Sequence, residues 1–160
     1  MSEDLKNLLL DGRIRLLDKF TETEKEELFS IGSINEFQMH DRIIFENEED
    51  HKIHIVLDGE ISVWRKNVHV IRLKKGDSFN ENVVFFPAPN KISVMAESQT
   101  NIFGVERDKL LDYFHRKPER LFKIFTLNIL AVMSKKIEDY EEVLVNHYFK
   151  TLKFLEHHKQ

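Results

Sequence analysis

The side chains best suited to metal chemistry in this sequence are histidines. His51 and His54 lie three residues apart, and His157 and His158 stand together near the C-terminus. A metal site needs three or four converging ligands, whereas residues three apart on a strand point to opposite faces of the sheet. The sequence contains no cysteine, which excludes thiolate-bound zinc, iron–sulfur clusters and disulfides. We therefore predict neither a metal nor a cofactor.

Catalytic patterns are also missing from the sequence. It shows no Ser/His/Asp order, no paired acid and base carboxylates, no Walker glycine loop and no dinucleotide-binding fingerprint. These observations predict a protein that is not an enzyme.

The composition is that of one globular domain with a real core. The chain has 160 residues, of which 41% are hydrophobic and 32% charged, and its formal net charge is -4. This mildly acidic balance disfavours bulk attraction to nucleic acid. The N-terminus lacks the basic and apolar regions of a signal peptide, and no run approaches the about 18 apolar residues of a membrane span. We expect a soluble, cytoplasmic protein without a membrane partner.

Two helices are expected in residues 1–33. Residues 4–20 place six apolar side chains roughly on one helical face: Leu5, Leu8, Leu9, Leu16, Leu17 and Phe20. A second helix begins at Thr21, which forms a capping-box pair with Glu24. Gly32 stands where the C-cap of that helix is expected.

Residues 34–107 predict an antiparallel β-roll. Short β-branched and aromatic runs alternate with turn residues at the spacing of a sandwich or jelly roll of about eight strands. In one of these runs Ile53, Ile55 and Leu57 alternate with Lys52, His54 and Asp58, as in a half-buried strand. The segment FNENVVFFPAPNK, residues 79–91, instead predicts a short helical turn followed by a loop.

Residues 108–160 predict helices. A short helix is followed by a longer one that starts at Pro118. Six residues of the longer helix have the 3-4 spacing of a coiled-coil seam: Leu130, Met133, Ile137, Tyr140, Leu144 and His147. The helix either packs on its own sheet or, as flanking charges such as Lys135 and Lys136 favour, pairs with a second copy. The predicted fold class is thus α+β, an antiparallel β-roll between N-terminal helices and a long C-terminal dimerisation helix.

This order of elements resembles the cyclic-nucleotide-binding domain of catabolite-activator-type regulators and of the regulatory subunits of cyclic-AMP-dependent kinase. Two phrases carry the resemblance, FENEEDHKIHIVLDGEISVW at 45–64 and LKKGDSFNENVVFFPAPNKISVMAES at 73–98. The second phrase is similar to the family's phosphate-binding cassette, and Phe79 and Glu81 match that motif. Three positions depart from it: Asn80 replaces a glycine, Asn90 an arginine and Ile92 a small residue.

The resemblance implies a cyclic phosphate at the N-terminus of the cassette helix and a ribose 2′-hydroxyl on Glu81. The missing arginine removes a charge-assisted contact of about 1.5–3 kcal/mol. Lys91 should face away from the pocket unless the preceding loop slips by one residue. Glu81 can alternatively act only as an acid that stabilises the helix N-terminus. If a ligand binds, these residues are expected to hold it: Phe79, Asn80, Glu81, Asn82, Val83, Asn90, Lys91, Ile92 and Ser93.

Two functions remain open from the sequence. The first is a stand-alone regulatory or scaffold module that has weakened or lost cyclic nucleotide binding and acts through a protein partner. The alternative is a genuine cAMP or cGMP sensor with an atypical phosphate site, which signals through its long C-terminal helix. Too few residues follow the seam for a helix-turn-helix domain, so no DNA partner is expected. Phe85 and Phe86 are expected mainly in the core, or else in the vacated pocket or on a partner surface.

Overall fold

The computed structural model describes Asn7 and residues 14–157. A 3₁₀ turn, Arg15–Leu17, precedes helix α1, Glu22–Ser30. Eight strands follow: β1 Ser33–Phe37, β2 Arg42–Ile44, β3 Lys52–Asp58, β4 Glu60–Arg65, β5 Val68–Lys74, β6 Ser78–Phe79, β7 Ser93–Ala96 and β8 Thr100–Glu106. A second 3₁₀ turn, Glu81–Val84, lies between β6 and β7, and helices α2, Arg107–His115, and α3, Glu119–His157, end the described chain.

The strands form two antiparallel four-stranded sheets, with the orders β1-β8-β3-β6 and β2-β7-β4-β5. This arrangement confirms the predicted α+β roll of about eight strands with a short cassette helix and a long C-terminal helix. The roll encloses one apolar cluster, and a second cluster lies between the first sheet and the helices.

Strand β3 contributes to both clusters and is buried from Ile53 to Leu57. Ile53, Ile55 and Leu57 point toward the helices, while Val56 points into the roll. His54 shares the face of Val56, because alternate residues of a strand lie on the same side. The strand therefore does not have one polar face, and His54 is buried inside the roll.

The predicted N-terminal helix over residues 4–20 is confirmed at Asn7, which is helical, but it does not continue through residues 14–20. Leu16, Leu17 and Phe20 are buried as expected, but within residues 14–20 only Arg15–Leu17 is helical, as a single 3₁₀ turn. Lys19 then adopts φ 63°, a left-handed conformation that ends any helix. Leu5, Leu8 and Leu9 lie outside the described residues.

Helix α1 confirms the capping box and corrects the role of Gly32. The backbone N–H of Glu24 donates to Thr21 Oγ1 at 3.2 Å, and the N–H of Thr21 donates to Glu24 Oε2 at 2.8 Å. The helix ends at Ser30, and Gly32 is not among the glycines with positive φ. Glycine is required there because a Cβ would clash with the ring of Phe103 and lie 2.6 Å from the carbonyl oxygen of Gly104. The close approach of this ring and of the β8 backbone, rather than a helix cap, explains this residue.

Helix α3 starts directly after Pro118, close to the predicted position. It packs on the helical cluster through Leu121, Phe125 and Ile129. Asn128 Nδ2 donates to the carbonyls of Leu16 and Asp18, at 3.0 and 2.8 Å. Among the described residues, no helix is long and apolar enough to cross a membrane.

Candidate functional site

The cassette, residues 79–91, begins with an asparagine in a left-handed conformation. Asn80 has φ 61° and ψ 30°, so it supplies the backbone geometry for which the family uses glycine. Its side chain turns away from the cassette helix. The amide Nδ2 donates to the carbonyls of Asp50 and Lys52, at 3.1 and 2.8 Å. The substitution therefore ties the cassette to the start of β3.

The base of the cassette is an aromatic pair inside the roll. Phe79 lies opposite His54 in the β3–β6 pairing, and the two rings stack with centroids 4.7 Å apart. His54 Nε2 lies 2.8 Å from Asp50 Oδ2. Asp50 Oδ1 also accepts the backbone N–H of Lys52 at 2.8 Å. Sequence reasoning overlooked His54 and Asp50 here, although their four-residue separation was visible.

The pKa of Asp50 is lowered in the folded chain. Burial alone raises it, but the hydrogen bond and charge of His54 and the backbone N–H of Lys52 outweigh that effect. A carboxyl whose pKa falls on folding contributes stability above its unfolded pKa of about 3.9. That contribution is lost as the pH falls through the lower folded pKa.

We expect Asp50→Asn to lower the free energy of unfolding at neutral pH, because it removes a charged partner of His54. The difference between this variant and the parent should shrink as the pH falls below about 4. Urea unfolding followed over a pH series measures the difference. Glu49→Gln, which removes an exposed carboxylate of the same loop, controls for the change in net charge. A difference that stays constant across the series would contradict this account of Asp50.

Asn90, at the position of the family's arginine, is buried and forms hydrogen bonds to the neighbouring turn. Its Nδ2 and its backbone N–H both donate to the carbonyl of Glu48, each at 3.0 Å. Its own carbonyl accepts the N–H of Asn47 at 2.7 Å. Asn90 therefore fastens the end of the cassette to the β2–β3 turn, where Asn47 has the positive φ of a turn residue.

Glu81 is buried and is held from two directions. Ser78 Oγ donates to Glu81 Oε1 at 2.8 Å. Lys136 Nζ, from helix α3, donates to the same oxygen at 2.6 Å and to the carbonyl of Ser78 at 2.6 Å. Lys136 was counted only as a charged flank of the seam, since no spacing in the sequence links it to residue 81.

A cavity of about 290 Å³ lies between the cassette and helix α3. Seven predicted ligand residues line it: Phe79, Asn80, Glu81, Asn82, Asn90, Lys91 and Ile92. Met133, Lys136, Ile137 and Tyr140 line it from the helix. This volume is near the lower end for small-molecule sites, which is about 300 Å³.

Two predicted ligand residues lie elsewhere. Val83 is buried in the helical cluster. Ser93 lines a separate surface pocket beside Trp64, its partner in the β4–β7 pairing. Lys91 is exposed and contributes to the lining of the cavity, so the expectation that it faces away from the pocket is not confirmed.

The expectation that Phe85 and Phe86 fill the core is wrong. The cassette helix ends at Val84, and both phenylalanines follow it on the surface. Val83 and Val84 take the core positions because they precede that end. Among the described residues there is also no cluster of three metal-ligating side chains.

The seam residues divide between the cavity and the outer surface. Met133, Ile137 and Tyr140 line the cavity, with Ile137 and Tyr140 partly open to solvent at 54% and 36% exposure, whereas Leu130, Leu144 and His147 are exposed and do not line it. Burial, together with the charges of Glu81 and Asp139, raises the pKa of the Tyr140 phenol. Tyr140 therefore presents a neutral hydroxyl group and an aromatic ring to the cavity.

The sequence matches a family model. The cyclic nucleotide-binding domain model covers residues 34–117, about half of the chain. The chain is also 27% identical over 89 residues to the cAMP-dependent protein kinase regulatory subunit of Hypocrea atroviridis. That alignment covers 56% of this chain and 19% of the kinase subunit, so the chain spans about a fifth of that relative.

Two solved structures show the same fold. A cyclic nucleotide-binding domain from Methylobacillus flagellatus superposes with a TM-score of 0.76 at 19% identity, over 90% of this chain and 83% of that one. The catabolite activator protein of Thermus thermophilus superposes with a TM-score of 0.69 at 15% identity, over 84% of this chain and 63% of that one. At these identities the likeness supports the fold alone.

Proposed function

The chain belongs to the cyclic nucleotide-binding domain family, and from that premise we propose that it is a regulatory or scaffold module acting through protein contacts, with ordinary cyclic nucleotide binding weakened or lost. Its role is that of a regulator and not of an enzyme. The partner is a protein that contacts the surface of the roll or the exposed part of helix α3.

The observation that carries the proposal is that the polar side chains of the cassette form hydrogen bonds to other parts of the same chain. The Asn90 amide donates to the Glu48 carbonyl, and it carries no positive charge with which to replace the arginine on a phosphate. Glu81 accepts two hydrogen bonds from the chain itself. Ile92 and the helix residue Met133 add apolar bulk to the same cavity. A cyclic nucleotide would therefore meet a site with no guanidinium for its phosphate and with Glu81 Oε1 already occupied as an acceptor for its ribose hydroxyl.

Thermal unfolding with cyclic AMP or cyclic GMP tests this proposal. We expect no shift at 5 mM nucleotide, because a ligand with a Kd of about 10 mM stabilises the folded state by only about 0.2 kcal/mol. 5′-AMP serves as the control for nonspecific effects of a nucleotide. A saturable shift with the cyclic compounds that disappears in Glu81→Ala would replace this proposal by the sensor.

One observation favours that second function. Ser78 and Lys136 both donate to Oε1 of the Glu81 carboxylate, and neither of these side chains donates to Oε2. A ribose hydroxyl could donate to it. Lys91, at the opening of the cavity, would then supply a point charge for the phosphate.

We further propose that helix α3 pairs with a second copy of the chain. Every described residue from Glu141 to His157 is exposed, although many of these side chains are large and apolar. The apolar ones are Val143, Leu144, Val145, Tyr148, Phe149, Leu152, Phe154 and Leu155. Exposed apolar surface of this extent is typical of a protein interface. The seam spacing supports a helix of the same sequence as the occupant.

A further inference from the structure

The contact between helix α3 and the cassette is a buried ion pair. The side chains of Lys136 and Glu81 are 14% and 7% exposed. The ammonium group of Lys136 reaches both Glu81 Oε1 and the carbonyl of Ser78 at 2.6 Å. Ser78 Oγ completes the group by donating to the same carboxylate oxygen. One lysine thus connects the helix to a side chain and a backbone group of the cassette.

The ion pairs of the neighbouring Lys135 lie on the surface of the helix and do not reach the cassette. Lys135 lies 2.9 Å from Asp139 and 3.7 Å from Glu138, so its partners belong to its own helix. These side chains are largely exposed, and exposed pairs within one helix contribute little. A buried pair behaves otherwise, because removing one partner leaves an uncompensated charge away from water. Lys136 is therefore the lysine whose loss affects how the helix is held.

Lys136 also stands where the helix leaves the roll. Met133, Ile137 and Tyr140 flank it and line the same cavity. After Tyr140, every described residue of the helix is exposed. The ion pair is consequently placed at the boundary between the part of the helix that covers the cavity and the part available to a partner.

We propose that Lys136 and Glu81 form an internal latch that holds residues 133–140 of the helix over the cassette cavity. The ammonium group of the chain itself occupies the carboxylate oxygen, so the helix is closed by the protein without a bound molecule. Anything that separates the pair releases residues 133–140 and changes the position of the exposed segment beyond them. The inference rests on the proposed function only in treating helix α3 as the element through which the module acts.

Site-specific thiol labelling tests the latch without a nucleotide. Because the chain has no cysteine, Met133→Cys introduces a single thiol at a half-buried position that faces the cavity. The rate of reaction with a maleimide then measures how often this segment opens. Adding Lys136→Met should raise the rate about tenfold or more, since it leaves the buried carboxylate unpaired.

Lys135→Met is the matched control, because it removes an adjacent lysine whose ion-pair partners, among the described residues, lie within the helix. Its rate should stay within about twofold of the parent. Lys136→Arg keeps the charge and should also resemble the parent. Adding Glu81→Gln to Lys136→Met should bring the rate back toward the parent, because no buried charge is then left unpaired.

Equal rates in the Lys136→Met and Lys135→Met proteins would overturn the latch. A Glu81→Gln, Lys136→Met protein that reacts as fast as Lys136→Met would also overturn it, by showing that the lysine stem and not the ion pair holds the helix. Circular dichroism of each variant separates local opening from unfolding. If the Lys136→Met protein fails to fold, the labelling rates of the Lys136→Arg protein and of the double variant test the latch. A nucleotide-induced thermal shift would contradict the proposed function but leave these rates unchanged.

Discussion

Replacing Phe79 with alanine is expected to lower the free energy of unfolding by about 3–5 kcal/mol. The ring is 1% exposed, stacks on His54 and belongs to the apolar cluster inside the roll. Truncation would leave a cavity beneath the cassette and remove the ring that stacks on the histidine of the part-buried His54–Asp50 pair. Urea unfolding followed by circular dichroism measures the loss.

The same cassette offers a matched control. Phe86 is 74% exposed, so Phe86→Ala should change the free energy of unfolding by about 0.5 kcal/mol or less. A loss below about 1 kcal/mol for Phe79→Ala, or equal losses for both variants, would show that the cassette is not anchored through Phe79.

A second large effect is expected from Leu144→Asp on self-association. Leu144 is 71% exposed and lies on the predicted seam beyond the roll. If two helices pair there, the variant buries a carboxylate in an apolar interface, and the dimer should weaken by about 100-fold or more. Light scattering after size exclusion should give twice 19.1 kDa for the parent and 19.1 kDa for the variant.

Val145→Asp is the control for this variant. Val145 is 51% exposed and is rotated about 100° around the helix from Leu144, away from the seam. It should therefore leave the dimer intact. A parent protein that is monomeric at tens of micromolar would refute the dimer itself. Dissociation by Val145→Asp but not by Leu144→Asp would place the interface on another face of the helix.

The family, the order of the elements and the cassette helix were all predictable from the sequence because each depends on local patterns. Alternating apolar residues predicted the strands, and the capping pair Thr21 and Glu24 predicted the start of α1. Asn80 stands where the family has a glycine, and asparagine is one of the few other residues that tolerate the left-handed conformation found there. The predicted helix over residues 4–20 failed within residues 14–20 because apolar spacing there could not reveal the break at Lys19.

The burial and the hydrogen-bond partners of the candidate-site residues could not be predicted in the same way. His54 was expected on a half-buried strand, yet the interior of the roll covers one face of β3 and the helices cover the other, so both faces are buried. Phe85 and Phe86 were expected inside, yet the cassette helix ends before they can reach the core. From the sequence, Asn90 was interpreted only as the loss of the family's arginine. In the structure its amide fastens the cassette to the β2–β3 turn.

The sequence by itself determined the family, the roll and the residues of the cassette, since these follow from side-chain type and from spacing over a few positions. Only the tertiary structure decided what those residues contact. Lys136 lies 55 positions from Glu81, and their pairing depends on how helix α3 packs across the roll. Burial and distant hydrogen bonds are properties of the folded chain, because they arise only when separated segments exclude water between them.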